Sequence, residues 1–360
     1  MPQLNVKCPI NKLSFGNVSV NILRELFKKG VDACVFPTGQ PDLSSYDQAS
    51  KEFYEWLRNA MARRLTDVDR SNPTLNIWHI NGSENKISDK NILLTFHETG
   101  HPTPEELNLA KLYDKVCFGS NYAREAFQDC GATNVTNVPM GLDPDLSCLP
   151  QKKSSDNIHF GLMGKWEKRK HTSKIIKCWA KTYGNNNRYE LSCCVGNSFL
   201  EESQLESAKL EALGSREFSN INFLPWLPKN SQVNDFINSI DVDLSGMSGA
   251  EGWNLPAFNA TALGKWSIVL DCTSHKDWAT EGNCILISPS GTESIEDGIF
   301  FTKESPFNRG VKFTFNENSL IKAMELAEHK CKTENTKGKE LATQFTYSNT
   351  VDKLLDICFS

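Results

Sequence analysis

The stretch that decides the predicted fold is SGAEGWNLPAFNATALG, residues 248–264. Short apolar segments flank it at 240–244 and 266–270, and each is typical of a buried strand. Pro256 suits the first turn of a helix and Gly264 suits the residue after its end. The pattern therefore predicts a β-loop-α-β unit.

The loop of this unit is expected to bind an anion. Glu251, Gly252 and the backbone N–H groups of Asn254 and Leu255 come just before the predicted helix. Unpaired N–H groups and the helix dipole favour phosphate at such a position. We interpret the carboxylate of Glu251 as a group that holds sugar hydroxyls while the helix end holds the phosphate. The alternative is an ordinary acidic residue near a helix N-terminus.

The segment resembles the signature of the retaining, nucleotide-sugar-dependent glycosyltransferases of family 4, which have the two-domain GT-B fold. Residues 251–256, EGWNLP, are similar to the family's Glu-Gly-Phe-Gly-Leu-Pro, with Trp253 for Phe and Asn254 for Gly. The resemblance implies that residues 251–255 bind the donor. The family's second Glu, which grips the donor ribose, is replaced here by Asn259, whose amide can still bind a diol.

Composition describes a globular protein of 360 residues, long enough for two domains. The net charge of −5 provides no overall basic field for nucleic acid. Twelve scattered cysteines without a CxxC pair indicate reduced thiols. The sequence shows neither a signal pattern nor a long apolar run, so we expect a cytoplasmic protein without a transmembrane segment.

The N-terminal part alternates predicted strands and helices, as expected for a Rossmann-like, acceptor-binding domain over residues 1–150. The strands are predicted at 4–7, 32–36, 75–79, 91–96, 115–118 and 135–138, and the helices at 18–29, 46–64 and 122–129.

Two residues of this domain are candidates for the site. Gly16 lies in the first strand–helix loop, where the family places glycines against the donor diphosphate, although turn glycines are common. His97 follows the strand at 91–96 and matches a family histidine that faces the donor sugar across the cleft. The alternative for His97 is a structural histidine.

The C-terminal part repeats the pattern. Residues 145–157 are polar and aperiodic and are predicted to be a linker. The nucleotide-sugar-binding domain is expected over 151–340, and residues 341–360 are expected to form a helix that packs back on the N-terminal domain, as the resemblance implies.

The loop that opens this domain, residues 164–171, has the sequence GKWEKRKH and concentrates positive charge before a helix. By resemblance, Lys165 and Lys170 bind the diphosphate and stabilise the leaving group. Trp226, which follows a predicted strand, is a candidate to stack on the nucleobase.

We therefore predict an α/β protein with two Rossmann-like domains facing across a cleft, and a retaining glycosyltransferase that moves a sugar from a UDP- or GDP-sugar to a hydroxyl acceptor. The alternative in another class is a non-catalytic sugar-nucleotide-binding protein. No cofactor or metal is expected, because the Asp-x-Asp strings at 67–69, 143–145 and 241–243 fall in a helix end or in segments matched to the GT-B pattern.

The acceptor is expected to be a glycan or small molecule. A cluster of arginines, however, makes hydroxymethylated pyrimidines in DNA an alternative acceptor. The arginines of this cluster are Arg58, Arg63, Arg64 and Arg70. The oligomeric state stays open.

Overall fold

The computed structural model describes residues 3–149 and 157–360, so residues 150–156 of the predicted linker lie outside the described part. The first domain contains six strands: β1 (Leu4–Cys8), β2 (Ala33–Pro37), β3 (Thr74–Ile77), β4 (Asn91–Thr95), β5 (Lys115–Phe118) and β6 (Val135–Asn137). They form one parallel sheet in the order β2-β1-β3-β4-β5-β6. Its helices are α1 (Ser14–Lys28), α2 (Lys51–Arg63), α3 (Pro104–Ala110) and α4 (Asn121–Asp129).

The second domain is built in the same way. Its strands are β7 (Ile158–Lys165), β8 (Tyr189–Gly196), β9 (Ile221–Phe223), β10 (Val242–Asp243), β11 (Trp266–Leu270) and β12 (Cys284–Ile287), in the parallel order β12-β11-β10-β7-β8-β9. The helices are α5 (Thr172–Tyr183), α6 (Glu202–Ala212), α7 (Asn230–Ser239), α8 (Leu255–Ala262) and α9 (Glu317–Lys330). Strands β4 and β11 are buried along their whole length, as expected for parallel sheets covered by helices on both faces.

A hairpin and two helices complete the chain. Strands β13 (Gly291–Ser294) and β14 (Val311–Thr314) pair antiparallel, and α10 (Thr336–Gln344) and α11 (Tyr347–Phe359) follow. Helix α10 packs on α8, whereas α11 returns to α1 and β4 of the first domain. The Thr350 hydroxyl donates to the Pro139 carbonyl at 2.8 Å. The predicted return of the C-terminal helix is therefore confirmed.

The two domains share one hydrophobic core. Trp253, Ala257 and Phe258 of the second domain pack in the same cluster as the strands of the first domain and α11. Close packing between the two domains therefore forms the floor of the cleft between the sheets.

The start of α2 differs from the prediction: it was expected at residue 46, and the helix begins at Lys51. The Ser50 side chain accepts a hydrogen bond from the Phe53 N–H and caps the helix there. Tyr46 instead lies in the core and donates its hydroxyl to the Asn11 carbonyl at 2.7 Å. Burial of the Tyr46 ring in the core therefore keeps this residue out of the helix, although the spacing of apolar residues predicted a helix there.

Among residues 3–149 and 157–360, the structure contains no helix that is both long and apolar enough to cross a membrane.

Candidate active site

The two segments predicted to bind the donor meet at one edge of the second sheet. The strand order of this sheet reverses between β7 and β10. Doubly wound sheets bind ligands beyond the carboxyl ends of their strands at such a reversal. Lys165 is the last residue of β7 and Lys170 lies in the loop that follows it, whereas the loop after β10 carries Glu251. Backbone hydrogen bonding joins the loops, since the Gly249 N–H donates to the Arg169 carbonyl at 2.8 Å.

Glu251 is the centre of this site. Its side chain is 7% exposed, and its carboxylate pairs with Lys170 and with Arg169, whose Nη1 lies 3.1 Å from Oε2. Burial alone would raise the pKa of Glu251, but the charges of Lys170 and Arg169 outweigh it and hold the pKa well below the usual range. Glu251 is therefore ionised at neutral pH and available to accept hydrogen bonds from sugar hydroxyls.

Arg169 connects the two loops. Its side chain is 10% exposed; Nε lies 2.7 Å from Glu167 Oε2, and Nη1 donates to the Ala250 carbonyl. The short turn Lys168–Lys170 points Arg169 inward, while Lys168 is exposed. The sequence predicts Arg169 only as one cation in a run, because the run does not show which side chain turns towards the core.

Lys165 lies at the end of β7, on the open side of the site. Its Nζ is 3.7 Å from Glu167 Oε1 and 5.2 Å from the ring centre of Phe300. Burial, partly offset by Glu167, lowers the pKa of Lys165. Lys165 is thus near Arg169 and Lys170, and the three cations can face a diphosphate together.

Asn254 has its side chain fully engaged. Its φ is +67°, in the left-handed region where the resembling family has Gly and where Asn is tolerated better than most residues. Its amide oxygen caps α8 at the Ala257 N–H, and Nδ2 lies 3.0 Å from the Ser245 carbonyl and 2.9 Å from His275 Nε2. Only the backbone of Asn254, and that of the adjacent Leu255, is left for a ligand at the helix N-terminus.

Two motif residues lie in packing positions. Trp253 is 2% exposed and its ring packs on Phe258 and Phe345, so its side chain belongs to the core, and donor binding by this residue stays a prediction. Gly252 adjoins the first domain: a Cβ atom there would lie 2.6 Å from the Phe96 Cβ. Close approach across the cleft therefore accounts for this glycine.

Asn259 and Trp226 remain candidates for donor binding. Asn259 is 8% exposed, and among the described residues its amide oxygen has no hydrogen-bond donor. A buried, unpaired amide oxygen is costly without a ligand. Trp226 is 55% exposed, and Lys12 of the first domain lies over its ring with Nζ 5.7 Å from the ring centre, so the exposed ring lies where the two domains meet.

His97 is held inside the first domain. Its Nε2 lies 3.0 Å from the Thr99 hydroxyl and its ring packs edge-on against Phe127. Burial lowers the pKa of His97 to about 4, so the ring is neutral at pH 7. Since Nε2 is engaged, Nδ1 is the nitrogen that a ligand could use.

Glu98, the next residue, is a site residue that the sequence motifs did not predict. Burial raises its pKa, and the charges of Arg169 and Glu251 also act on it, which places Glu98 opposite the donor loops. Its position directly after a strand-end histidine was the signal that could have identified it.

Gly16 does not lie in a loop, because it is the third residue of α1. A Cβ atom there would be 2.4 Å from the Asn11 carbonyl oxygen. The glycine allows the β1–α1 loop to fold tightly onto the first helical turn. The expectation of a loop glycine is therefore wrong, and contact with a diphosphate stays a prediction.

Substituting Gly252 with alanine is expected to destabilise the protein by about 1–3 kcal/mol, because the added methyl would push Phe96 away from the domain contact. Chemical denaturation of both proteins measures this difference. Gly282→Ala is the control, since its closest neighbour would be 3.6 Å from the new Cβ. Equal stability of the Gly252 and Gly282 variants would contradict the tight domain contact.

Comparison with known proteins gives the fold. No protein-family model and no curated protein sequence matches the chain. Solved structures do match. Sucrose-phosphate synthase from Thermosynechococcus elongatus matches with a TM-score of 0.66 and 12% identity over 99% of this chain and 98% of that chain. HepE from Anabaena in complex with UDP and glucose matches with a TM-score of 0.65 and 12% identity over 99% of each chain. TarM matches with a TM-score of 0.59 and 12% identity over 82% of this chain, which spans only 56% of TarM.

These likenesses, together with two Rossmann-like sheets that face across a cleft, define the class of structure. The chain has the GT-B fold. The GT-B fold by itself does not specify a reaction.

Proposed function

We propose that the protein is a retaining glycosyltransferase that uses a nucleotide-diphosphate sugar. The observation that carries the proposal is the buried cluster of Glu251 with Arg169 and Lys170, at the reversal of the second sheet and opposite the strand ends of the first. The carboxylate can bind the hydroxyls of the sugar, and the cations beside it can bind the diphosphate, so the cluster fits both halves of such a donor.

Each part of the donor has a partner in this arrangement. Lys165 and Lys170 bind the diphosphate, and the backbone N–H groups of Asn254 and Leu255 add donors at the start of α8. Asn259 binds the ribose through its unpaired amide oxygen, and Glu251 holds the sugar. Trp226 stacks on the base, and His97 reaches the sugar through Nδ1.

The proposed reaction needs no covalent intermediate on the protein. The acceptor oxygen bonds to the anomeric carbon as the bond from that carbon to the diphosphate oxygen breaks, and the acceptor proton passes to the departing phosphate. Stabilisation of the leaving diphosphate by Lys165 and Lys170 is then the main contribution of the protein.

UDP-sugars are the first donors to test, because HepE was solved with UDP and glucose. The protein is incubated with UDP- and GDP-sugars, and release of nucleoside diphosphate is followed with and without acceptors. Turnover of one donor supports the enzyme. Thermal stabilisation by a donor without any turnover would instead support the non-catalytic binding protein.

Replacing Lys165 or Lys170 with alanine is expected to weaken UDP binding by roughly 10- to 100-fold and uridine binding much less, because only the diphosphate contacts these cations. Titration calorimetry with both ligands measures the difference. Lys168→Ala is a control from the same run, since Lys168 is exposed and its Nζ bonds the Glu296 carbonyl at 3.0 Å. Equal losses for UDP and uridine would contradict the assignment.

Activity is expected to persist in EDTA, because the lysines supply the charge that a divalent cation provides in other glycosyltransferases. The Asp-x-Asp string at 241–243 is poorly placed for a cation: Asp243 is 2% exposed, and its Oδ1 accepts from the Ser245 N–H at 3.1 Å. Donor turnover is measured with EDTA and then with added Mg²⁺ or Mn²⁺. Loss in EDTA and recovery with either metal would overturn metal independence.

The proposed acceptor is a glycan or small molecule, and the proposed location is the cytoplasm. The alternative of DNA rested on a basic cluster on and after α2. Arg63 of that cluster pairs with Asp32 and Asp67, so part of its charge is already neutralised. Labelled sugar is offered to glycans, polyols and hydroxymethylated DNA side by side. Labelling of DNA alone, with affinity that falls steeply with salt, would favour the alternative.

A further inference from the structure

The first sheet has its own reversal of strand order, between β1 and β3. The loops after these strands therefore form the position where this sheet would hold a ligand. Strand β3 ends at Ile77, so Trp78 and His79 belong to the loop rather than to the strand predicted over residues 75–79. His79 is exposed, whereas Ile77 and Ile80 on either side of this pair are buried.

Aromatic rings surround His79 and connect it to the donor site. The ring centres of Phe15 and His79 are 4.4 Å apart, and those of Trp78 and His79 are 5.5 Å apart. Phe15 also packs edge-on against Phe96 at 5.1 Å, and Phe96 is the side chain that meets Gly252 beside Glu251. The rings thus form a continuous wall from the donor loops to His79.

The charge of Lys165 reaches His79 across the cleft. The surrounding protein and then this charge lower the pKa of His79, so the imidazole is neutral at pH 7. A neutral imidazole has one N–H donor and one nitrogen acceptor, which suits a hydroxyl. Aromatic faces next to it suit the apolar face of a sugar ring.

We propose that Trp78 and His79, with Phe15 behind them, form an acceptor subsite for a neutral, hydroxyl-bearing ring such as a sugar. The subsite rests on the proposed function for its part in transfer, because the ring must lie opposite the donor held by Glu251 and Lys165. His79 binds an acceptor hydroxyl, and Trp78 stacks on the ring.

A neutral sugar fits this wall better than a phosphorylated one. Lys165, whose charge acts on His79, faces Glu167 and the aromatic rings of Phe199 and Phe300 and is assigned to the donor diphosphate. Lys12, in the loop after β1, lies over Trp226. A phosphate bound by His79 would have a neutral imidazole as its partner, which is a weak anion site.

The test separates acceptor binding from donor chemistry. Wild type, His79→Ala and Trp78→Ala are compared for transfer to maltose and methyl glucoside, for donor hydrolysis without acceptor, and for UDP affinity. We expect roughly tenfold or greater loss of transfer and a raised acceptor KM, with hydrolysis and UDP affinity unchanged. His329→Ala, an exposed histidine on α9, is the matched control.

Direct binding makes the test independent of turnover. Saturation-transfer NMR with maltose and methyl glucoside is expected to show contact with wild type and a loss of signal in both variants. If binding occurs but no donor is ever turned over, the proposed function fails while the subsite stands. Absence of binding, equal binding by wild type and His79→Ala, or transfer only to glucose 6-phosphate or to hydroxymethylated DNA would overturn the subsite.

Discussion

Replacing Glu251 with glutamine is expected to lower donor turnover by about 100-fold, which corresponds to about 2.7 kcal/mol of transition-state stabilisation. Glutamine keeps the shape of the side chain but accepts weaker hydrogen bonds from sugar hydroxyls. The UDP affinity is expected not to fall, because Arg169 and Lys170 would lose the carboxylate that now neutralises them. Steady-state turnover and UDP titration measure the two quantities.

A fall in turnover without a fall in UDP affinity distinguishes a role of Glu251 in the reaction from damage to the structure of the site. A damaged site would lose both turnover and UDP affinity. Glu211→Gln is the control, because Glu211 is 80% exposed and pairs with Lys177 on the surface of the second domain. Turnover of Glu251→Gln close to wild type would remove this carboxylate from the mechanism.

The fold was predictable from sequence wherever local signals were strong and agreed with each other. The apolar run at β4 and the Pro256 and Gly264 signals around α8 gave elements that the structure contains, and Gly264 has the positive φ, +84°, that a helix end requires. The start of α2 was predicted wrongly because periodicity does not show that Tyr46 is buried away from the helix.

The site was predictable at the level of loops and less so at the level of side chains. The motif at 251–256 placed Glu251 correctly beside the cationic loop. It did not distinguish the packed ring of Trp253 from a side chain that faces the cleft. Similarly, the predicted strand ended at His79, whereas β3 ends at Ile77. This difference of two residues places His79 in the loop after the strand and not in the sheet.

Arg169 shows why a run of charged residues does not by itself identify the side chain that enters the site. In the short turn Lys168–Lys170, neighbouring side chains point in different directions, so Lys168 is exposed and Arg169 is 9% exposed. The inward direction follows from tertiary partners far along the chain, Ala250 and Glu251, which no local pattern specifies.

Arg169→Met is expected to lower the free energy of unfolding by about 3–5 kcal/mol, because it leaves Glu167 and Glu251 buried with fewer cationic partners. Chemical denaturation at pH 7 measures this loss. Arg63→Met is a matched control: Arg63 also bridges two carboxylates, but its side chain is 34% exposed, so about 0–1 kcal/mol is expected there.

The stability of Arg169→Met should also depend on pH differently from that of wild type. In wild type the pKa of Glu251 is below its unfolded value of about 4.3, so the pair stabilises the protein above that pH and loses its effect as pH falls through the folded pKa. The groups that titrate or carry charge and act on Glu251 include Arg169, Lys170, Glu98, His275 and Cys272. Removing Arg169 raises the pKa of Glu251, although Lys170 still holds it down.

The stability difference between wild type and Arg169→Met should therefore be largest near neutral pH and shrink as the pH falls through the pKa of Glu251 in the folded variant, which gains a proton there before wild type does. The unfolded chain affects both proteins equally. The acid limb of donor turnover should move to higher pH in the variant, and Arg169→Lys should recover part of that shift because it restores the charge without the bidentate geometry. A stability difference that stays constant with pH would mean that Arg169 contributes packing and does not act on Glu251.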